Sequence, residues 1–514
     1  MKTIVYSIYK NTSSGEKQVK KLLIIGGGVS GLSAGIHARL LGFESLIVEK
    51  NPNMGGICTS WTREGYHIDA SMHWLTGTQE GNDTNDMWKT LNVLGDHVEI
   101  IKNDIQGVYE FGGEKITVYA DPEKFRQELL RIAPEDKKAI DELLKDIKAV
   151  GGMDMPAEAP VEYLPLTKKM KLLIPIIKMG MQVKNRATMV NEEYAKRFKS
   201  PALRQYFSVW PQGQDQHMGY LFKSAMMIRG NADYPRGGSE QIIKNMLKKY
   251  TELGGEYMTS KEAVSIEVKN GELDCVRFKD GSTLSADWLL CACDPHITLK
   301  TLLRDEYTVP EFEERYNDRV NYFLNSSVIV FFGLDFIPED MPCALHFEGS
   351  ELKVASVTMN RYSLRSFACE PSFAPEGHLL LSMDITQRDD DYEYWEALRK
   401  DMPAYKAEKQ RIADELIKRV TERFPSWAGH IKVVDILTPM TYKRYTGAYH
   451  GAWMAFRSSS GGKRMTHTGE IPGLKNIVLT GQWLQPSGGL PVAGAMSKFS
   501  VQRIAKKEGM DFRI

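Results

Sequence analysis

Hydrophobic residues near the N-terminus follow a strand, helix and strand pattern. Four apolar residues, Leu22–Ile25, form a short run typical of a buried parallel strand. The pattern then predicts a helix from about Val29 to Leu41, which Gly42 ends. A second apolar strand, Ser45–Val48, follows. This alternation predicts a βαβ unit and therefore a parallel sheet.

The same kind of pattern returns twice later in the chain. Ser239 is predicted to cap a helix with one apolar face. Residues 263–295 predict three strands with tight turns, and the run ends in a further apolar strand. Near the C-terminus, a strand at Asn476–Thr480 precedes a helix from about Pro491. We therefore predict that residues 1–100, 226–300 and 436–514 form one discontinuous α/β domain.

The intervening residues 101–225 and 301–435 have a different pattern and predict a mixed α+β domain. The first part predicts a hairpin and then helices at Pro122–Ile132 and Pro134–Val150, with Asp121 as a helix cap. The second part predicts a strongly apolar strand at Ser326–Leu334 and a long helix at Tyr405–Arg423. Residues 1–20 are a polar segment with an expected edge strand at 3–8.

Composition is ordinary for a globular protein and excludes some classes of partner. The 514 residues favour two domains, and 66 basic residues balance 66 acidic ones, so no global basic field argues for nucleic acid. The N-terminus is too polar for a signal peptide, and no apolar run is long enough to span a bilayer. Six cysteines without metal-site or disulfide-framework spacing indicate a reducing compartment, and we expect a cytoplasmic protein without a metal.

The turn after the first strand has the spacing of a dinucleotide site. Gly26, Gly28 and Gly31 form the G-x-G-x-x-G pattern between the strand and the helix. Gly26 permits the tight turn, Gly28 admits a pyrophosphate to the backbone, and Gly31 permits close packing of helix and sheet. Glu49 ends the second strand and is placed to accept hydrogen bonds from both ribose hydroxyls of an adenosine.

A second glycine pair, Gly55-Gly56, follows Glu49 by six and seven residues. Together with the first motif, Asp69 and the run His73-Trp74-Leu75, it resembles the FAD-containing amine oxidase and phytoene desaturase superfamily. The resemblance implies a Rossmann-type FAD-binding domain and FAD as the cofactor. Lys50 is a further candidate for a cofactor contact because it is adjacent to Glu49.

The C-terminal strand and helix resemble the second dinucleotide motif of that superfamily. The resemblance implies that the strand end contacts the ribityl chain and that the helix N-terminus faces the flavin pyrimidine oxygen. Many relatives carry an acid where this chain has Gln482, whose amide still forms hydrogen bonds. Val264 matches a position that contacts adenine through its backbone. The residues expected to bind the cofactor are Gly26, Gly28, Gly31, Glu49, Lys50, Gly55, Gly56, Val264, Gly481, Gln482, Gly489, Leu490 and Pro491.

Residues 166–186 combine apolar side chains with basic ones and contain no acid. This composition is typical of a basic helix on an anionic membrane surface, and Pro175 is expected to kink it. The alternative is a mobile lid helix whose apolar face lines the substrate cavity. The basic positions are Lys168, Lys169, Lys171, Lys178, Lys184 and Arg186.

Within the superfamily, the chain is most similar to phytoene desaturases, carotenoid isomerases and retinol saturases. This implies an FAD enzyme that makes, reduces or isomerises a carbon–carbon double bond in a hydrophobic polyene, isoprenoid or lipid. A flavin amine oxidase, with Lys443 and Trp453 near the flavin, is the alternative, and a non-catalytic flavoprotein is a third. Neither an electron donor nor an electron acceptor follows from the sequence. His73, Arg444 and Tyr445 are the candidate catalytic residues at the flavin.

Overall fold

The computed structural model describes residues 19–153, 155–208, 216–459 and 461–513. The edge strand expected at residues 3–8 therefore lies outside the described residues. Five parallel strands form one sheet, and their order in space is Glu256–Met258, Glu44–Val48, Lys21–Ile25, Trp288–Cys291 and Ile477–Leu479. In chain order this is a 3-2-1-4-5 sheet, so the order reverses beside the first strand and opens a crevice at the carboxyl ends. The predicted Rossmann-type α/β architecture is confirmed.

Helices cover this sheet and bring distant segments together. Val29–Leu40 packs against both Gly238–Glu252 and Leu490–Lys507. The Ser33 hydroxyl donates a 2.8 Å hydrogen bond to the carbonyl of Gly494. The two glycine motifs, which lie at opposite ends of the chain, consequently meet at the crevice.

The cap of the Gly238–Glu252 helix differs from the prediction. Ser239 is the second helical residue, and the cap is Gly237, whose φ of 86° lies in the left-handed region. The carboxylate of Asp69 accepts hydrogen bonds from both the backbone N–H and the hydroxyl of Ser239, each at 2.7 Å. A side chain distant in sequence thus satisfies the N–H group that a local cap would have satisfied.

A second, mixed sheet of seven strands faces the crevice. Only the pair Ala344–Val354 and Ile105–Phe111 is parallel. Helix Met402–Arg423 packs on the outer face of the sheet through Ile412, Leu416 and Val420. The strand order is Ile431–Leu437, Asn325–Leu334, Leu379–Arg388, Val357–Ser366, Ala344–Val354, Ile105–Phe111 and Glu114–Tyr119.

Shorter elements complete the fold, and several match the sequence pattern closely. Asp121 caps Pro122–Ile132 by accepting a 2.7 Å hydrogen bond from the Lys124 N–H, as predicted. The three-stranded antiparallel sheet comprises Ala263–Lys269, Glu272–Phe278 and Thr283–Leu284. Further helices are Asp83–Thr90, Lys137–Gly151, Asn191–Ala195, Pro201–Ser208, Met218–Ile228, Pro310–Asn317, Tyr392–Lys400 and Pro439–Thr446. The remaining short strands are Trp61–Arg63, Tyr66–Ile68, Leu75–Thr76, Ile100–Ile101, Ala232–Pro235, Tyr322–Phe323 and Arg457–Ser458.

The basic segment forms helix Leu166–Val183 with Pro175 inside it. Arg186, which was predicted to belong to its exposed charge, is buried and forms a 2.7 Å ion pair with Asp146. That prediction was wrong, because the charge of a residue does not reveal a buried partner 40 positions away. Within the described ranges, no helix is both long enough and apolar enough to span a bilayer.

Candidate functional site

A cavity of about 1300 Å³ begins at the carboxyl ends of the parallel strands. It extends to the inner face of the seven-stranded sheet, where Tyr109 and His346 stack with ring centroids 4.1 Å apart. Gly26–Gly28 form the wall at one end, and Trp74, Phe111 and other aromatic side chains line the far part. One continuous space therefore joins the dinucleotide motif to an aromatic chamber.

The first glycine motif forms a narrow cradle at the cavity wall. Gly26 has a φ of 109°, and a Cβ added there would lie 3.1 Å from the Ala292 carbonyl oxygen. Gly28 pairs with Gly55 in a parallel bridge, and the Gly55 N–H donates a 2.9 Å hydrogen bond to the Gly27 carbonyl. Both glycine pairs predicted from the sequence thus lie at the N-terminus of the first helix, where a phosphate is favoured.

Glu49 lies at the bottom of this cradle with 5% of its surface exposed. One carboxylate oxygen accepts a 2.7 Å hydrogen bond from the Gly27 N–H, and the other accepts bonds from the backbone and side chain of Asn51. Each oxygen retains acceptor capacity for a ribose hydroxyl. The neighbouring Lys50 also lines the cavity and donates a hydrogen bond to the Arg444 carbonyl.

The second glycine motif faces the first across the cavity. A side chain at Gly481 would overlap the hydroxyl of Ser30, at the start of the first helix. The side-chain carbonyl of Gln482 accepts a 2.9 Å hydrogen bond from the Gly489 N–H, which leaves its amide N–H groups for other partners. Gln482 therefore also holds the glycine turn in place. Gln482, Gly489, Leu490 and Pro491 all line the cavity.

Four of the predicted residues are not on the cavity wall. Gly31 permits close packing against the Gly26 carbonyl, and Gly481 permits close packing against the Ser30 side chain. Val264 is on a strand whose first residue, Ala263, does line the cavity. Arg444 has its guanidinium 4.9 Å from the centre of the Tyr445 ring.

The predicted catalytic residues do not form one cluster. Tyr445 lines the cavity, and its carbonyl accepts a 2.8 Å hydrogen bond from the side chain of Asn51. The tyrosine and Arg444 are therefore near the ribose-binding end of the site. His73 faces the cavity, and burial together with the positive charges of Arg365 and Lys223 holds its pKa well below the usual range. A neutral imidazole accepts protons but has no imidazolium proton to donate near pH 7.

Sequence reasoning missed the polar side chains on the inner face of the seven-stranded sheet. Asp384, Thr386 and Arg388 all line the cavity from strand Leu379–Arg388. The alternation of polar and apolar residues along this strand was an available signal, since it places every second side chain on one face. Ser327 on the adjacent strand also lines the cavity.

The cradle and the cavity fit a flavin dinucleotide. The glycine turns, the buried Glu49 and the two facing helix N-termini suit an adenosine and a pyrophosphate. The indole N–H of Trp453, also on the cavity wall, is buried and has no hydrogen-bond partner within the described part of the chain. It offers a donor to a polar ring. The length of the cavity leaves space beyond the cofactor for a second molecule.

Curated relatives cover most of the chain at low identity. A prolycopene isomerase of Daucus carota is 23% identical over 84% of this chain and 71% of its own length. An all-trans-retinol 13,14-reductase of Danio rerio is 22% identical, with coverages of 92% and 84%. A lycopene-forming phytoene desaturase of a Paracoccus species is 20% identical, with coverages of 94% and 97%.

Solved structures share the fold. A putrescine oxidase with redesigned cofactor binding superposes with a TM-score of 0.61 at 12% identity, covering 95% of this chain and 99% of its own. An oxidoreductase of Methanosarcina mazei has a TM-score of 0.57 at 14% identity, with coverages of 95% and 100%. The family model of flavin-containing amine oxidoreductases matches residues 29–497, a range that begins just after Gly28 and includes the Gly55-Gly56 pair and the whole C-terminal glycine motif. Because this match agrees with the dinucleotide cavity, the chain belongs to the flavin-containing amine oxidoreductase family and is an FAD-dependent oxidoreductase.

Proposed function

We propose that this enzyme acts on a carbon–carbon double bond of a hydrophobic polyene, isoprenoid or lipid. The observation that carries the proposal is the continuation of the cavity past the cofactor cradle into a chamber whose wall is largely aromatic and apolar, with polar side chains of the seven-stranded sheet on one side. A long apolar molecule gains stability there by leaving water. The proposal is also supported by the relatives, whose names describe a carotene isomerase, a retinol reductase and a phytoene desaturase.

We propose that residues 1–100, 226–300 and 436–514 bind FAD and that residues 101–225 and 301–435 bind the substrate. The parallel sheet draws its strands from the first set of ranges, which supports this division. The cradle and both helix N-termini would hold the dinucleotide through the predicted cofactor residues. When bound, the flavin supplies hydride exchange. The protein then orients the substrate and excludes water from the reacting carbons.

The amine oxidase alternative lacks a supporting contact. Lys443, which was predicted to imitate the lysine of those enzymes, does not belong to the cavity wall, whereas Trp453 does. Burial lowers the pKa of Lys443 from its usual value.

A substrate panel tests the proposed function. Purified FAD-loaded enzyme, with its flavin either oxidised or chemically reduced, is incubated with all-trans-retinol, phytoene, prolycopene and, separately, putrescine. We expect at least one polyene to change in its absorption spectrum and chromatographic retention, and putrescine to remain intact. Oxidation of putrescine without conversion of any polyene would contradict the proposal and favour an amine oxidase.

We also propose that helix Leu166–Val183 contacts an anionic membrane surface at its periphery. Seven large apolar side chains on it are exposed, among them Leu166 at 74% and Met181 at 64%. All the charged side chains of this helix are lysines, and one of them, Lys168, forms an ion pair with Glu158. An apolar surface with a basic border suits the boundary between headgroups and acyl chains. Such contact would let a water-insoluble substrate enter without crossing water.

A charge variant tests the membrane contact. Lys169, Lys171, Lys178 and Lys184 are changed together to Gln, and sedimentation with phosphatidylserine-containing liposomes is measured at low and high salt. Since each lysine near such a surface contributes about 1 kcal/mol, we expect the wild type to pellet at low salt and the variant to remain in solution. The matched control changes four exposed lysines on other helices, Lys244, Lys248, Lys406 and Lys418. If the charge variant and the control variant sediment equally, the membrane contact is contradicted and the lid interpretation is favoured.

A further inference from the structure

We propose that Asp384 is a catalytic residue that exchanges a proton with the substrate carbon next to the carbon that exchanges hydride. The inference rests on the proposed function, since it concerns chemistry at a carbon–carbon double bond. It concerns a side chain that the cofactor motifs do not include, on the sheet that forms the opposite wall of the cavity.

Asp384 faces the substrate part of the cavity. It lies in the middle of strand Leu379–Arg388 and pairs with Ile329 of the neighbouring strand. Both residues line the cavity, as does Ser327, two positions before Ile329 on the same face. The carboxyl group is thus fixed on a rigid sheet rather than on a loop, which suits a group that must meet a reacting carbon.

A chain of contacts brings this wall close to the second glycine motif. Side chains added at Gly488 and Gly489 would meet Ala455 and Met454 at 3.3 and 3.8 Å, respectively. The backbone N–H of the adjoining Trp453 donates a 3.2 Å hydrogen bond to the Asn325 carbonyl, at the start of the strand that carries Ser327.

The loop that contains Trp453 and Met454 therefore contacts both the second glycine motif, at the expected flavin-ring end of the cofactor site, and the strand beside that of Asp384. In a second connection, the Ser326 hydroxyl donates a 2.7 Å hydrogen bond to the Gly451 carbonyl. A substrate lying along the sheet would have one side toward Asp384 and its end toward the glycine turn.

The surroundings keep this carboxyl group able to carry a proton. Burial raises the pKa of Asp384 to about 7, and the hydrogen bond with the Ser327 hydroxyl opposes that rise. Tyr442 on helix Pro439–Thr446 also faces this wall, and burial together with Asp384 raises its pKa, so it stays neutral. The charged side chains on the same wall are Arg388 on the strand of Asp384 and Arg361 on the next strand.

Two other carboxylates on the cavity wall, those of Asp294 and Asp391, are already engaged. Asp294 accepts hydrogen bonds from the backbone N–H groups of His296 and Tyr449 and from the hydroxyl of Tyr316. Asp391 accepts from backbone N–H groups of Ser356 and Arg388. These roles are structural, and neutral His73 has no proton to donate. Burial instead holds the pKa of the Asp384 carboxyl group at about 7, where acid and base forms coexist. Lys223, whose pKa burial lowers to about 8, also lines the cavity but lies on helix Met218–Ile228 and not on the Asp384 sheet.

Asp384 would exchange the proton, and bound FAD would supply or take the hydride. In saturation, the π bond would break and two C–H bonds would form, one from the Asp384 proton and the other, on the adjacent carbon, from the hydride that reduced FAD would supply. The Asp384 carboxylate would then recover a proton from water. In desaturation, the carboxylate would take the proton, oxidised FAD would take the hydride from the adjacent carbon, and the π bond would form. Both electrons pass with the hydride in either direction.

The experiment combines infrared titration with turnover in the FAD-loaded enzyme. The C=O stretching band of a protonated carboxylic acid is followed against pH in wild type, Asp384→Asn and Ser327→Ala. We expect a band with a midpoint near pH 7 in the wild type and no such band in Asp384→Asn. Ser327→Ala should raise the midpoint, because the lost hydroxyl stabilises the carboxylate. Asp414→Asn, an exposed change on helix Met402–Arg423, should keep the band.

Turnover is measured with each probe of the panel that the wild type converts. We expect Asp384→Asn to lower kcat by about 100-fold or more while KM stays within a small factor, as loss of a general acid or base predicts. Wild-type kcat should fall above the midpoint for saturation and below it for desaturation.

Normal kcat in FAD-loaded Asp384→Asn overturns the proposal. The absence of a titrating band overturns it too, whatever the panel shows. If no probe is converted, the proposed function fails. The infrared result is independent of that failure, because the absence of a titrating band overturns only the role of Asp384.

Discussion

Glu49→Arg is expected to yield a colourless protein that no longer retains FAD. The carboxylate is buried in the cradle, and arginine would place a cation and no acceptor where ribose hydroxyls need one. Hydrogen bonds to a charged acceptor contribute about 1.5–3 kcal/mol each, so losing two lowers affinity by at least about 100-fold. The flavin absorption of the purified protein and a titration with added FAD measure this loss.

Two further variants separate the lost acceptor from general damage. Glu49→Gln retains one side-chain oxygen and should show an intermediate affinity for FAD. The same two changes at Glu44, which is exposed at the start of the same strand, should leave FAD bound. Full FAD occupancy in Glu49→Arg would mean that this carboxylate does not hold the cofactor.

Gly31→Ala is expected to destabilise the protein and to weaken FAD binding together. A Cβ at this position would overlap the carbonyl oxygen of Gly26, a backbone atom that cannot move without deforming the turn. Forced overpacking costs about 1–3 kcal/mol or more. The helix N-terminus must also move away from the phosphate site. Thermal unfolding with and without FAD, and the FAD dissociation constant, measure both effects.

Gly180→Ala is the matched control. This glycine is exposed in helix Leu166–Val183, and a Cβ there meets no atom within 4 Å. Because alanine is favoured over glycine in a helix by about 1 kcal/mol, the control should be neutral or slightly stabilising. Equal stability of Gly31→Ala and the wild type would show that helix and turn are not packed as described.

The cavity explains why one site serves cofactor and substrate together. The cradle lies at the point where the order of the parallel strands reverses, and the seven-stranded sheet closes the space opposite it. Residues from both patterns of the chain therefore line the same cavity. Chemistry at this boundary combines hydride exchange from one wall with proton exchange from the other.

The sequence by itself determined the first strand, helix and strand, and the place of Glu49 directly after the second strand. Their spacing is a local property, because a tight turn, a helix start and a strand end are decided by neighbouring backbone conformations. The predicted helix Pro122–Ile132 and its Asp121 cap agree with the structure for the same reason. The parallel sheet and the family resemblance were likewise accessible from pattern, whereas only a hairpin and one strand of the seven-stranded sheet were predicted.

Only the tertiary structure decided which distant side chains meet. Asp69 replaces a local cap for the helix of Ser239, and Asp146 removes Arg186 from the exposed charge. Nothing in the neighbouring residues encodes these pairs, since each joins segments from separate elements. The pKa of Asp384 is also decided by tertiary structure, because the burial that raises it exists only after the strands, the helix and the loop around the cavity have packed together.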